Sequence, residues 1–176
     1  MIYKKIVSKC NELNVELSQH LLFVSIAKEK LYLFENDTLI KIYDVSTSRN
    51  PPSCVENSNG TPIGLHKIDG KIGANAPLFT VFRGRIACGL VSEQTQEEQA
   101  KNLITTRIMR LRGLEEGKNA GGNVDTYNRY VYIHGTNQED KIGTPNSHGC
   151  VLLRNNEVAE LFDVVNDGTI VLISME

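Results

Sequence analysis

Between residues 4 and 19, apolar side chains return at steps of three and four: Ile6, Val7, Cys10, Leu13 and Leu17. That period predicts a short amphipathic helix packed on the outside of a domain. After residue 20 the character changes. Leu22–Ile26, Lys30–Phe34 and Leu39–Val45 read as strands, and Glu35-Asn36-Asp37 is a turn signal, so an antiparallel meander is expected. Residues 47–60, with Pro51-Pro52 and Asn57-Ser58-Asn59-Gly60, read as a loop. Thr61-Pro62-Ile63-Gly64 leads into a strand over 65–68, Asp69-Gly70 marks a turn before 71–73, and 79–82 is a further short strand. Gln94 to Asn102 is polar and Glu-rich, suited to a short exposed helix or an ordered loop.

A strand follows over 104–111, then a Gly- and Asn-rich loop over 113–123. Residues 130–134 form a strand ending at a histidine, and 135–147 a third loop. Asn155 or Asn156 can cap a helix over 157–162, and 169–173 closes the chain as a strand. There is no internal repeat, low-complexity tract or linker. The pattern predicts a mainly β domain whose long loops hold its site.

Composition narrows the classes. The 176 residues suit one domain, and 40% hydrophobic with 23% charged residues is ordinary for a globular protein. A net charge of -2 argues against nucleic-acid binding, and Arg107, Arg110 and Arg112 read as a solvated strand face. No apolar run approaches the roughly 18 residues of a membrane helix. The basic start through Lys4-Lys5 is followed by Ser8-Lys9-Cys10-Asn11-Glu12 and not by an apolar stretch. No export signal is visible, and the chain as given is expected to stay in the cytoplasm; a chain trimmed at its N-terminus would read the same.

Cys10, Cys54, Cys88 and Cys150 match no disulfide framework, and the lack of a CxxC pair argues against structural zinc. Cys10 and Cys88 read as small buried hydrophobes, and Cys54 in its Pro-rich loop is undecided. Cys150 differs. His148 lies two residues before it, and His134 precedes a loop whose Gly135, Gly143 and Pro145 let it fold back. A thiol with an ordinary pKa of about 8.5 needs a base to attack carbonyls at neutral pH. Cys150 is therefore the candidate nucleophile and His134 its base. Gly149 lets a substrate approach closely, and the N–H groups of Gly149 and Cys150 are candidate oxyanion donors, each worth about 3 kcal/mol. By spacing alone, Ser147-His148-Gly149-Cys150 also reads as an ordinary loop.

The wider segment changes that. Tyr132-Ile133-His134-Gly135-Thr136, then Gly143-Thr144-Pro145-Asn146-Ser147-His148-Gly149-Cys150-Val151, resembles the motif of the L,D-transpeptidase catalytic domain, the YkuD family. Tyr43-Asp44-Val45-Ser46-Thr47-Ser48, Thr61-Pro62-Ile63-Gly64, Asn155 and Gly168-Thr169-Ile170-Val171 are similar as well. The resemblance divides the chain into an N-terminal helical extension, 1–19, and an L,D-transpeptidase catalytic domain, 20–176. It implies a YkuD-like β-sandwich with a few short helices, in a bacterial cell-wall enzyme.

The implied reaction is attack by Cys150 on the L-centre carbonyl of diaminopimelate in a peptidoglycan tetrapeptide stem. Terminal D-alanine leaves, a thioester forms, and the side-chain amine of a second stem resolves it to a 3→3 cross-link. No metal or organic cofactor is implied, and carbapenems are expected to acylate Cys150. His134 is the base, oriented by the Gly135 carbonyl. Ser147, His148 and Gly149 are motif positions that shape the loop or the oxyanion site. Tyr132, Arg154 and Asn155 are candidate substrate contacts, though Tyr132 equally reads as core. The family usually carries arginine two residues after the cysteine, where this chain has Leu152. That departure keeps two other readings open: a hydrolytic L,D-carboxypeptidase or amidase, and a catalytically impaired peptidoglycan-binding relic. The resemblance points to the periplasm or cell envelope, against the absence of a visible signal.

Overall fold

Leu21 to Val24 is apolar at every position because the strand carrying it, β1 (His20–Ser25), is covered on both faces. Leu22 and Val24 enter the main core with Leu31, Ile68, Met109 and Ile133. Leu21 and Phe23 point the other way, onto Ile6 and Cys10 of α1 (Ile2–Glu12). A computed structural model describes residues 2–176. The further elements are β2 (Lys30–Glu35), β3 (Thr38–Asp44), β4 (Gly64–Ile72), β5 (Thr80–Arg83), β6 (Ile86–Leu90), α2 (Gln96–Gln99) and β7 (Ile104–Gly113). They continue with β8 (Tyr132–Thr136), β9 (Val151–Leu153), α3 (Asn155–Val164) and β10 (Ile170–Ser174).

The strands make one curled sheet in the order β3-β2-β1-β10-β4-β7-β5-β6, with β8 branching from β7 and carrying β9 on its far edge. The mainly β architecture with short helices, one of them N-terminal, is as expected. Pairing is antiparallel except for β1 with β10 and β8 with β9. The curl encloses the main core, which α3 closes with Val158, Leu161 and Phe162. Among the described residues, no helix is long and apolar enough to cross a membrane.

Several boundaries differ from the sequence reading, each for a local reason. The N-terminal helix stops at Glu12, short of residue 19, because Asn14 takes a left-handed conformation (φ 54) and the Val15 N–H returns to the Cys10 carbonyl at 2.9 Å. Asp69-Gly70 is a bulge within the continuous β4, not a turn: the register against β7 shifts there, and the Gly70 N–H donates to Asp167. The sequence reading missed β6, whose residues are largely exposed. Arg107 is not on a solvated face; it is buried, donating to the carbonyls of Ala76 and Thr106. Arg110 and Arg112 stack against Tyr127. Cys10 is fully buried, but Cys88 is only half-buried on β6, and all four cysteines are free thiols.

Ile6 and Cys10 are 0% exposed, so α1 is packed into the sheet and not merely laid beside it. Ile6→Ala should lower stability by about 2–3 kcal/mol, the usual cost of emptying a filled apolar site. A urea titration reads this as a lower midpoint at constant slope. An unchanged midpoint would mean that α1 contributes nothing to the folded domain.

Candidate active site

The segment after β3 sets up the site. Thr47 donates its N–H and hydroxyl to the buried carboxylate of Glu29, at 2.6 and 2.7 Å. Fixed in this way, the Thr47 carbonyl accepts the N–H groups of Asn146 and Ser147, both at 2.9 Å, and Ser46 bridges to Leu152. The cysteine-bearing loop is thus pinned at both ends to a loop the sequence left irregular. Within it, the Ser147 hydroxyl donates to the Cys150 carbonyl at 2.6 Å and accepts the Gly149 N–H at 3.1 Å. Gly149 sits at φ 123, where a Cβ would also press on the Gly60 carbonyl at 3.3 Å, so the position calls for glycine. The Gly149 N–H, one of two candidate oxyanion donors, is therefore engaged by Ser147. The Cys150 N–H is the remaining backbone candidate.

Strand pairing places Cys150 and His134, the candidate nucleophile and base, on one face of the sheet. β8 runs parallel to β9 with Ile133 opposite Val151 and His134 opposite Leu152. Ile133 and Val151 enter the main core, so His134 and Cys150 emerge on the other face, two residues out of step. Both line one cavity of about 170 Å³, with Asn102, Ile104, Ser147 and Leu152. His134 does not end its strand, as the sequence suggested; β8 continues through Thr136, which holds the histidine from both sides.

The His134 ring nitrogen Nδ1 lies 2.7 Å from the Gly135 carbonyl. A carbonyl only accepts, so Nδ1 carries the proton and Nε2 presents its lone pair. Burial depresses the pKa of His134 to about 4, so the ring is neutral at physiological pH. Burial also raises that of Cys150 to about 11, with the Tyr132 N–H and the Arg129 charge pulling it down. The thiol accepts the Tyr132 N–H at 3.3 Å and leans toward the Tyr130 carbonyl at 3.8 Å. At rest, a thiol and a neutral imidazole thus line the same cavity.

The other predicted residues fall into different places. His148 is exposed on the rim, lining both the cavity of His134 and a second one of about 290 Å³. The Tyr132 side chain is buried with Phe82 and Ile108, and its backbone N–H, not its ring, meets the thiol. Arg154 lies outside both cavities, facing Asp44 at 3.8 Å and Glu157 at 3.5 Å. Asn155 is fully buried, so it touches no substrate; nor does its side chain cap α3, whose first residue it is. It binds Thr105, Thr106, Thr136 and Glu139 behind Gly135.

Two residues that the sequence reading passed over line the second cavity with Cys150: Arg129 and Tyr130. Tyr130 is 56% exposed, with Arg85 of the β5–β6 turn stacked on its ring. No motif announces either residue. Arg129 is fixed by Ser53, Ser58 and Gly60, far away in sequence.

Comparison with known proteins bears on the family and the fold. The family model of the L,D-transpeptidase catalytic domain, YkuD, matches residues 19–173. A putative L,D-transpeptidase, YqjB of Bacillus subtilis, is 45% identical over 49 residues, a stretch covering 28% of each chain. Among solved structures, an L,D-transpeptidase from Mycobacterium smegmatis matches at 16% identity and a TM-score of 0.55, over 89% of this chain and 58% of that one. L,D-transpeptidase 3 of Mycobacterium tuberculosis, in complex with a faropenem-derived adduct, matches at 14% identity and 0.54, over 89% and 60%. Bd1075 of Bdellovibrio bacteriovorus matches at 15% and 0.58, over 91% and 49%. This chain therefore spans about half to three-fifths of those structures' length.

Proposed function

Because this chain belongs to the YkuD family of L,D-transpeptidase catalytic domains, we propose that it is a cysteine acyltransferase of peptidoglycan stem peptides, with Cys150 as nucleophile and His134 as base. The observation that carries the reading is the shared cavity of Cys150 and His134 on one sheet face. As Sγ attacks the L-centre carbonyl of diaminopimelate, its proton passes to His134 Nε2. The Cys150 N–H stabilises the developing oxyanion. The C–N bond to D-alanine breaks, and the imidazolium returns the proton to the departing amine. The amine of a second stem then attacks the thioester, loses its proton through His134, and releases Cys150 as the thiol. Gly135 keeps the imidazole in the tautomer this relay needs.

Cavities on both sides of Cys150 give room for an acyl donor and an amine acceptor, which favours transfer over hydrolysis. Incubation with imipenem should add the mass of one carbapenem to the intact protein, and peptide mapping should place it on Cys150. An adduct on Cys54 or Cys88 instead, or none at all, would reject the assignment. With purified muropeptides the expected product is a dimer; tripeptide alone would assign the enzyme to hydrolysis.

A further inference from the structure

The two cavities beside Cys150 differ in charge. They share only Cys150 and His148, so the thiol stands in the wall between them. The His134 side is lined by no Asp, Glu, Lys or Arg, whereas the second cavity carries Arg129 inside and Glu56 at its exposed rim.

Arg129 is half-buried, and among the described residues no carboxylate lies within ion-pair distance of it. Its guanidinium is aimed by neutral acceptors: Nη1 donates to the Ser53 carbonyl at 3.0 Å, and Nη2 to the Gly60 carbonyl at 2.9 Å and the Ser58 hydroxyl at 3.3 Å. Those bonds use three of five N–H donors, leaving Nε and one Nη1 donor for a ligand. A partly desolvated cation without a counter-ion is costly to maintain. Burial indeed pulls its pKa below the ordinary arginine value. Each remaining N–H can give a single charge-assisted hydrogen bond to a carboxylate oxygen.

Chemistry decides which part of the substrate lies there. His134 must hand its proton to the departing amine, so the leaving residue lies on the His134 side. The acyl residue then extends through the thiol wall into the Arg129 cavity. If the acyl-transfer reading holds, on which this step rests, that residue is diaminopimelate, whose side chain ends in a carbon bearing an ammonium and a carboxylate. We propose that Arg129 is a specificity-determining residue that binds the side-chain carboxylate of the acyl-donor residue, with Glu56 at the rim receiving the ammonium on the same carbon. The cavity therefore selects diaminopimelate stems over lysine stems, which lack only that carboxylate.

The test measures binding, not turnover, in the Cys150→Ala protein. Calorimetry with tetrapeptide stems containing diaminopimelate or lysine at the third position should show the diaminopimelate peptide bound about tenfold more tightly or better, the usual worth of a charge-assisted hydrogen bond. Arg129→Gln should weaken the diaminopimelate peptide to the level of the lysine peptide and leave the lysine peptide unchanged. Arg129→Lys should keep part of the preference. Glu56→Gln should weaken both peptides by a similar, smaller factor. Equal binding of the two peptides without the Arg129 change, no binding of either, or an equal loss for both in Arg129→Gln would overturn the proposal; the last would mean that Arg129 only holds the 53–60 loop. Because this readout does not pass through acylation, a failed carbapenem adduct at Cys150 is a separate result.

Discussion

His134→Ala is expected to slow acylation by a carbapenem about 10²–10⁴-fold at neutral pH, the contribution of a positioned general base. The change in pH profile is more informative than the loss itself. Burial sets Cys150 at about 11 and His134 at about 4. The competent state is thiol plus neutral imidazole. It is lost as pH falls through the His134 value, because a protonated ring accepts nothing. It persists upward until the thiol ionises by itself near its own raised value. With His134 present, the acylation rate should therefore be nearly flat from about pH 5 to 9. Without it, only free thiolate attacks. At pH 7 a thiol with a pKa of about 11 is ionised only ~1 part in 10⁴. The rate in His134→Ala should then climb about tenfold per pH unit through the neutral range. Stopped-flow or time-resolved mass measurements from pH 5 to 9 separate the cases. A mutant as fast as the parent, with the same flat profile, would remove His134 from the mechanism.

How much of this is legible in the sequence depends on whether the controlling contacts are local. The candidate nucleophile and base can be picked out because residues 132–136 and 147–151 lie close in sequence and their residue types have few other joint uses. The strands of the meander can be read because apolar periodicity reports burial directly. The misreadings share another cause. Asp69-Gly70 carries the ordinary turn signal, yet Asp167, far along the chain, holds Gly70 within a continuous strand. Residues 47–60 have loop composition, and only the contact of Glu29 with Thr47 makes them the platform for the cysteine loop. Arg129 is invisible for the same reason: its partners are backbone carbonyls and a hydroxyl, which no side-chain pattern encodes.

The missing arginine at position 152 fits the same picture. Leu152 is 1% exposed and abuts the cavity of His134, where a guanidinium would have to be desolvated beside the base. The charge close to the thiol comes instead from Arg129, across the second cavity. In this chain the arginine that lines a cavity with the thiol belongs to the segment just before β8.

The largest effect on stability is expected at a residue whose sequence signal suggested a helix cap. Asn155 has no exposed surface, and its side chain uses its full hydrogen-bonding capacity. Oδ1 accepts the hydroxyls of Thr105 and Thr106, the first at 2.6 Å, and Nδ2 donates to the Thr136 carbonyl at 2.8 Å and to Glu139 at 2.6 Å. One amide thus joins β7, the end of β8 and the start of α3. Thr106 needs the help: it is β-branched at φ 67, in the register shift of β7, and its hydroxyl also accepts the Phe79 N–H. Asn155 also backs the residue that orients the base, since a Cβ on Gly135 would meet Oδ1 at 2.9 Å. Asn155→Leu keeps the branched shape and removes the partner of two buried hydroxyls and a buried carbonyl, while Glu139 keeps the backbone N–H of residue 155. At about 1–3 kcal/mol for each group left unpaired, with partial relaxation, the loss should be about 3–5 kcal/mol. The urea midpoint should fall accordingly, and the surviving folded protein should acylate more slowly as His134 loses its backing. A loss below about 1 kcal/mol would show that the three elements hold together without the amide, and that His134 is positioned by β8 and Gly135 alone.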